Sequence, residues 1–130
     1  MASLKFLVVD DSLTMRRIVL NTLKTIGFNN ILEAADGKDA MAKLLSEGAD
    51  FLITDWNMPE MNGLELTRWV RATPQFSGMP ILMVTTRGNK EDVIDAMKVR
   101  VNNYIVKPFT AQGLKDKIDL ILKATEIKAS

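Results

Sequence analysis

The sequence predicts an α/β fold, a parallel five-stranded sheet with helices packed on both of its faces. Two observations carry this reading. Five short apolar runs alternate strictly with amphipathic stretches through 130 residues, the pattern of repeated strand–helix units. Four of the five runs stop at a charged or hydroxyl-bearing residue, and in open parallel sheets the ligand site lies beyond the carboxyl ends of the strands.

Phe6-Leu7-Val8-Val9 reads as a buried strand that halts at Asp10-Asp11. Ser12 can cap the helix that follows, where Met15, Val19, Leu23 and Ile26 recur at helical spacing before Gly27 closes it. Ile31-Leu32 begins a weaker second strand, and Ala40, Met41, Leu44 and Leu45 form a helical stripe that ends near Gly48. Phe51-Leu52-Ile53-Thr54 is the third strand and stops at Asp55. A turn rich in breakers, Asn57 to Gly63, leads into a helix through Leu66 and Val70. Pro80 to Val84 is the fourth strand, ending at Thr85-Thr86; Val93, Ala96 and Met97 mark the next helix. Tyr104-Ile105-Val106 is the fifth strand, ending at Lys107-Pro108, and Leu114, Ile118, Ile121 and Leu122 line the last helix. No linker or repeat interrupts the series, so one domain is expected over 1–130, with a core from about 4 to 125 and no output domain.

Composition removes several chemistries. Without Cys or His, the chain can build neither a thiolate or imidazole zinc site nor a Ser–His or Cys–His nucleophile, and it cannot carry phosphohistidine. A net charge of +1 argues for no nucleic-acid partner. No apolar run approaches the ~20 residues that span a bilayer, and Met1 to Phe6 has no signal-peptide layout. The expected location is the cytoplasm, and the expected state a monomer. Carboxylate, hydroxyl, Lys and Arg remain, a set suited to hard cations and phosphoryl transfer.

Polar residues at strand ends are ordinary, since strand ends meet water. Four of five in one edge need more. Crowded carboxylates repel unless a cation neutralises them, and Mg²⁺ needs only one or two carboxylates with waters, a carbonyl and substrate oxygens. Asp11 and Asp55 are the expected direct ligands, with Asp10 acting through a water and the Asn57 backbone carbonyl completing the set. Asp55, at the tip of the central strand, is placed as nucleophile for an acyl phosphate. Mg²⁺ and Lys107 would neutralise the transferring group, and the Thr85 hydroxyl would donate to one of its oxygens.

These residues bring a family into view. Val9-Asp10-Asp11-Ser12, Thr54-Asp55-Trp56-Asn57-Met58-Pro59, Met83-Val84-Thr85 and Lys107-Pro108-Phe109 resemble the receiver domains of bacterial response regulators over essentially the whole chain. Thr14 to Val19 and Tyr104 to Thr110 resemble more narrowly the stand-alone chemotaxis regulators of that family. The resemblance implies a flavodoxin-like (βα)5, doubly wound sheet of order 2-1-3-4-5. It implies a two-component signalling switch that catalyses only its own phosphorylation and dephosphorylation. It implies Thr85 and Tyr104 as a switch pair and a cis Lys107–Pro108 bond. The output face would be the fourth helix, fifth strand and fifth helix, with Lys90, Val93, Tyr104 and Lys117 as contacts. The implied partners are a CheA-type histidine kinase, the flagellar motor switch protein (FliM type) and, as an optional third, a CheZ-type phosphatase.

Some residues have plainer readings or depart from the family. Trp56 is expected to shield the strand end, Arg16 and Arg17 to form a solvated helix face, and the eight methionines to fill the core, although Met58 and Met61 sit where a partner would touch. Arg87 stands where the resembled regulators usually carry an acidic residue, which points to an altered phosphoryl lifetime. Arg100 stands where they usually carry glycine, which predicts a strained helix end. Of three rivals, the first two are set aside and only the third stays open. A flavin carrier would need a hydroxyl- and glycine-rich phosphate loop where Asp10-Asp11 stands. An aspartyl phosphatase would place its nucleophile after the first strand, with a separate cap. A receiver acting as a phosphate sink, or in a non-flagellar pathway, is the serious alternative.

Overall fold

Every apolar run forms a strand and every amphipathic stretch a helix in the computed structural model, which describes residues 4–86 and 89–129, with side chains in the last helix to Thr125. The elements in order are β1 (Lys5–Val9), α1 (Leu13–Ile26), β2 (Asn30–Ala34), α2 (Gly37–Glu47), β3 (Phe51–Asp55), α3 (Gly63–Ala72), β4 (Ile81–Thr85), α4 (Lys90–Lys98), β5 (Asn103–Val106) and α5 (Ala111–Ala129). A short 3-10 turn, Pro74–Phe76, joins α3 to β4; its single proline-led turn has too little periodicity to stand out in sequence. All neighbouring strands are parallel, in the order β2-β1-β3-β4-β5, as expected.

Alternation within each strand sorts the core into two layers, because successive side chains point to opposite faces. Leu7, Val9, Leu52, Ile81 and Met83 meet Ala40, Leu44, Leu66, Val70 and Ala96 from α2, α3 and α4. Phe6, Val8, Phe51, Ile53, Leu82 and Val84 meet Val19, Leu23, Leu114, Ile118 and Ile121 from α1 and α5. β3 is buried along its whole length, whereas the edge strand β2 is only partly covered. Truncating a fully buried leucine such as Leu66 to alanine in so closed a layer costs about 2–5 kcal/mol.

Helix ends follow local chemistry. The Ser12, Asp36, Asn62 and Asn89 side chains accept backbone N–H bonds at the starts of α1, α2, α3 and α4. Asn62 and Glu65 complete a capping box. Gly27 ends α1 in the left-handed region, φ 117°.

The α2 and α4 stripes form helices as expected, but Met97 corrects the expectation that the methionines fill the core. Leu45 and Met97 do not join the core but stand 60% and 47% exposed. Each follows a fully buried helical neighbour, Leu44 or Ala96, and a step of one residue rotates a side chain about 100° around the axis, which carries both off the apolar stripe. Met58 and Met61 are also corrected as partner-facing residues: Met58 is buried in the first core layer and Met61 packs against it, its side chain covering Gly37.

Arg100 behaves as its place in the sequence predicts. Its N–H bonds the Met97 carbonyl at 3.0 Å and the Val101 N–H reaches the Ala96 carbonyl at 3.4 Å, the paired bonds of a Schellman close. Arg100 holds the left-handed position of that motif at φ 67°, where a Cβ is unfavourable. Arg100→Gly is therefore expected to stabilise the protein by about 0.5–1 kcal/mol in denaturant unfolding. An unchanged or lowered midpoint would show that the arginine side chain compensates its backbone.

Candidate functional site

Strand register brings the acidic residues level with one another. Val9 pairs with Thr54 and Val84 with Asp55, so Asp10 stands beside Asp55 one step past the last β1 pair. Val106 pairs with Thr85, and Lys107 follows, its N–H donating to the Thr85 carbonyl at 2.7 Å. The chain thus delivers Asp10, Asp55, Thr85 and Lys107 to a single edge, with Asp11 at the rim. Asp10, Asp55 and Thr85 are buried. Asp11 and Asn57 are exposed.

One ammonium serves two of the carboxylates. The Lys107 Nζ lies 3.1 Å from Asp55 Oδ1 and 3.5 Å from Asp10 Oδ2. Carboxylate oxygens of Asp10, Asp11 and Asp55 all lie within 4.8 Å of one another, a spacing that fits a small hard cation with oxygen ligands. Burial pushes the Asp55 carboxyl above its ordinary range, the Asp10 charge adds to this, and Lys107 offsets only part of it. The cluster is short of positive charge, and a divalent ion would supply it. The Lys107–Pro108 bond is cis, as the resemblance implied.

Three features of this edge were not read from sequence. Arg16 is not a solvated residue: its side chain is 14% exposed, its Nε donates to Glu33 at 3.0 Å and its Nη1 to the Asp10 carbonyl at 2.8 Å. Arg17, largely exposed as expected, also donates to Glu33. The signal for Arg16 is a cation in the first turn of a helix, where the macrodipole disfavours it. Second, the Asp10 carboxylate accepts the Ser12 N–H at 2.9 Å, which ties the acidic strand end to the cap of α1. Third, Gly63 abuts the Asp55 backbone. A Cβ there would sit 2.5 Å from the Asp55 carbonyl oxygen and 2.8 Å from Met83 Sδ, while the Gly63 N–H donates to the Trp56 carbonyl at 2.9 Å. Trp56 is buried beneath the strand end, consistent with shielding.

The expected output residues are brought together only in part. The Lys117 ammonium lies 5.3 Å from the Tyr104 ring centroid and 3.2 Å from Asn103 Oδ1. Val93 is partly buried and Lys90 exposed on the neighbouring α4. Ile94 and Val106, which sequence reasoning did not place on this surface, are exposed there as well. Arg87 lies outside the described residues.

The profile of the response regulator receiver domain matches residues 6–119. Over 120 residues the chain is 56% identical to chemotaxis protein CheY1 of Helicobacter pylori, covering 92% of this chain and 97% of that protein. It is 58% identical over 120 residues to a chemotaxis protein CheY homolog of Campylobacter jejuni, covering 92% of each. Among solved structures, Vibrio cholerae chemotaxis protein CheY4 superposes with a TM-score of 0.86 at 37% identity, covering 92% of this chain and 99% of that one.

The raised carboxyl of Asp55 predicts a pH signature in chelator-containing buffer. Above its ordinary value of 3.8 the unfolded chain has released this proton while the folded chain still holds it. Stability from the neutral form is full below that value and is lost as pH rises through the folded pKa. Asp55→Asn should therefore gain on wild type with rising pH and then plateau, read from unfolding midpoints across the range. A difference flat in pH would show that Asp55 ionises freely in the folded chain.

Proposed function

The chain belongs to the response regulator receiver domain family, and from that premise we propose that it is a chemotaxis switch that takes a phosphoryl group on Asp55. Relatives of this type are signalling proteins rather than enzymes acting on separate substrates. One observation carries the proposal: a buried carboxylate at the tip of the central strand has an ammonium at 3.1 Å and two further carboxylates within 4.8 Å. That is the charge arrangement phosphoryl transfer requires.

A histidine kinase of the CheA type is the proposed donor. An Asp55 carboxylate oxygen attacks the phosphorus of the phosphoimidazole; the O–P bond forms as the N–P bond breaks, and the imidazole leaves with its electron pair. Mg²⁺, when bound by Asp11, Asp55, the Asn57 carbonyl and, through a water, Asp10, supplies the positive charge that lets phosphoryl oxygens approach this acidic edge. Lys107 holds the nucleophile and neutralises the incoming group. Thr85, one strand over, donates its hydroxyl to a phosphoryl oxygen. Its movement frees space that the Tyr104 ring takes, and the change is displayed on α4, β5 and α5.

That face suits a protein partner. Ile94, Met97 and Val106 are exposed apolar side chains, 44%, 47% and 38% accessible, beside Lys90, Lys117 and Tyr104. The proposed target is the flagellar motor switch protein, met in the cytoplasm, with dephosphorylation open to a CheZ-type phosphatase.

Acetyl phosphate should label wild type and leave Asp55→Asn unlabelled; undiminished labelling of the variant would sink the reading. Lys107→Ala should accept the phosphoryl group yet lose the phosphorylation-dependent gain in binding a motor-switch peptide. A wild type that is labelled but never binds that peptide would point to a phosphate sink instead. Trp56 adjoins Asp55, so its fluorescence should report Mg²⁺ at roughly millimolar Kd or tighter. The response should weaken at least tenfold in Asp11→Ala, and an unchanged titration would remove Asp11 from the site.

A further inference from the structure

A second concentration of charge lies at the opposite edge of the sheet, by the amino ends of β4 and β5. Arg71, in the last turn of α3, is half-buried there. All five of its N–H donors are engaged by neutral acceptors: the Arg100 carbonyl twice, the Ser77 and Met79 carbonyls, and Asn102 Oδ1. No carboxylate balances this guanidinium among the described residues. Burial and then the neighbouring Arg100 charge lower its pKa, so two like charges are held together without a counter-ion.

Two cavities flank this ridge. One, about 540 Å³, is lined by Arg71, Arg100 and Asn102; the other, about 250 Å³, by Arg71, Arg100, Arg68 and Lys98. Arg71 already holds the Ser77, Met79 and Arg100 carbonyl oxygens, and every charged side chain that lines the two cavities is a cation. Asn102 adds a neutral donor. Its Oδ1 already accepts from the Ile81 N–H and from Arg71, which turns its Nδ2 amide away from both. Arg68, Lys98 and Arg100 are exposed and have no acidic partner among the described residues. Arg100 also holds a left-handed backbone conformation, φ 67°, that costs a non-glycine residue stability. Strain and repulsion coincide at one residue, and both lie far from the acidic edge.

We propose that this ridge is a binding site for an oligophosphate anion, of which a diphosphate group is the simplest. Arg100 is shared by the two cavities and bonds the anion from either side. Arg68 and Lys98 hold one end, the Asn102 amide the other, and Arg71 contributes its fixed charge from beneath. The charged side chains of the lining are all cationic and disfavour a cation. The site requires neither Mg²⁺ nor phosphorylation of Asp55.

Thermal unfolding in chelator, with pyrophosphate against chloride at matched ionic strength, tests the assignment. Wild type should rise by roughly 5 °C or more at pyrophosphate about a hundredfold above its Kd. Arg100→Gly, which removes the side chain and leaves the carbonyl that Arg71 holds, should start higher and lose the rise. Arg68→Gln with Lys98→Gln should reduce it, and Asp55→Asn should keep it whole. Replacing pyrophosphate with ADP or AMP separates a nucleotide source from a free oligophosphate, since only the former binds ADP more tightly than pyrophosphate. No rise in wild type, an equal rise in Arg100→Gly, or a rise lost in Asp55→Asn would each overturn the proposal. A rise with polyglutamate but not with pyrophosphate would overturn it in favour of an acidic peptide surface.

Discussion

The Lys107 ammonium, 3.1 Å from Asp55 and 3.5 Å from Asp10, is the interaction on which the acidic edge depends. Two buried carboxylates side by side repel strongly in a medium less polar than water, and one cation cannot cancel both and Asp11 as well. The arrangement holds because the sheet imposes it. β1, β3 and β5 end at nearly the same height, and parallel pairing leaves none of those ends free to withdraw. Residual repulsion is confined to a place where a divalent ion or a phosphoryl group can use it.

Around this edge the backbone is held from three sides. Arg16 grips the carbonyl of Asp10, the Asp10 carboxylate caps the entry to α1, and Gly63 presses on the backbone of Asp55. Preorganisation of this kind puts the cost of assembling like charges into folding rather than into each later encounter with a ligand. It also couples α1 to Asp10 and α3 to Asp55 through main-chain contacts. A displacement of either helix would move Asp55 or Asp10 directly.

Fold and site were unevenly legible in the amino-acid sequence, for physical reasons. Strands β1, β3 and β4 are buried on both faces and read as uninterrupted apolar runs. The acidic, hydroxyl and lysine residues were legible because they sit at the abrupt ends of those runs. The left-handed Arg100 was legible because helix closure asks for glycine. Arg16 was hidden, since its partners Glu33 and the Asp10 carbonyl come from other elements and a carbonyl leaves no mark in sequence. Gly63 was hidden as well, reading as a turn glycine until the packing of α3 on Asp55 was visible. Leu45 and Met97 look like core residues by type; only the turn of the helix sends them outward. The four neutral acceptors around Arg71 belong to two separate stretches of chain, 77–79 and 100–102, a convergence no local pattern records.

The edge strands carry a last consequence. β2 carries the polar residues Asn30 and Glu33, with Arg16 bonded to the Glu33 carboxylate and Lys43 to its carbonyl, and β5 is only four residues long. Short, polar or bridged edges are poor templates for a strand from another molecule. Crowding many copies together therefore offers no route to a continuous sheet through either margin. The apolar side chains left outside lie on helices or at a strand tip, where they favour discrete docking over fibrous growth.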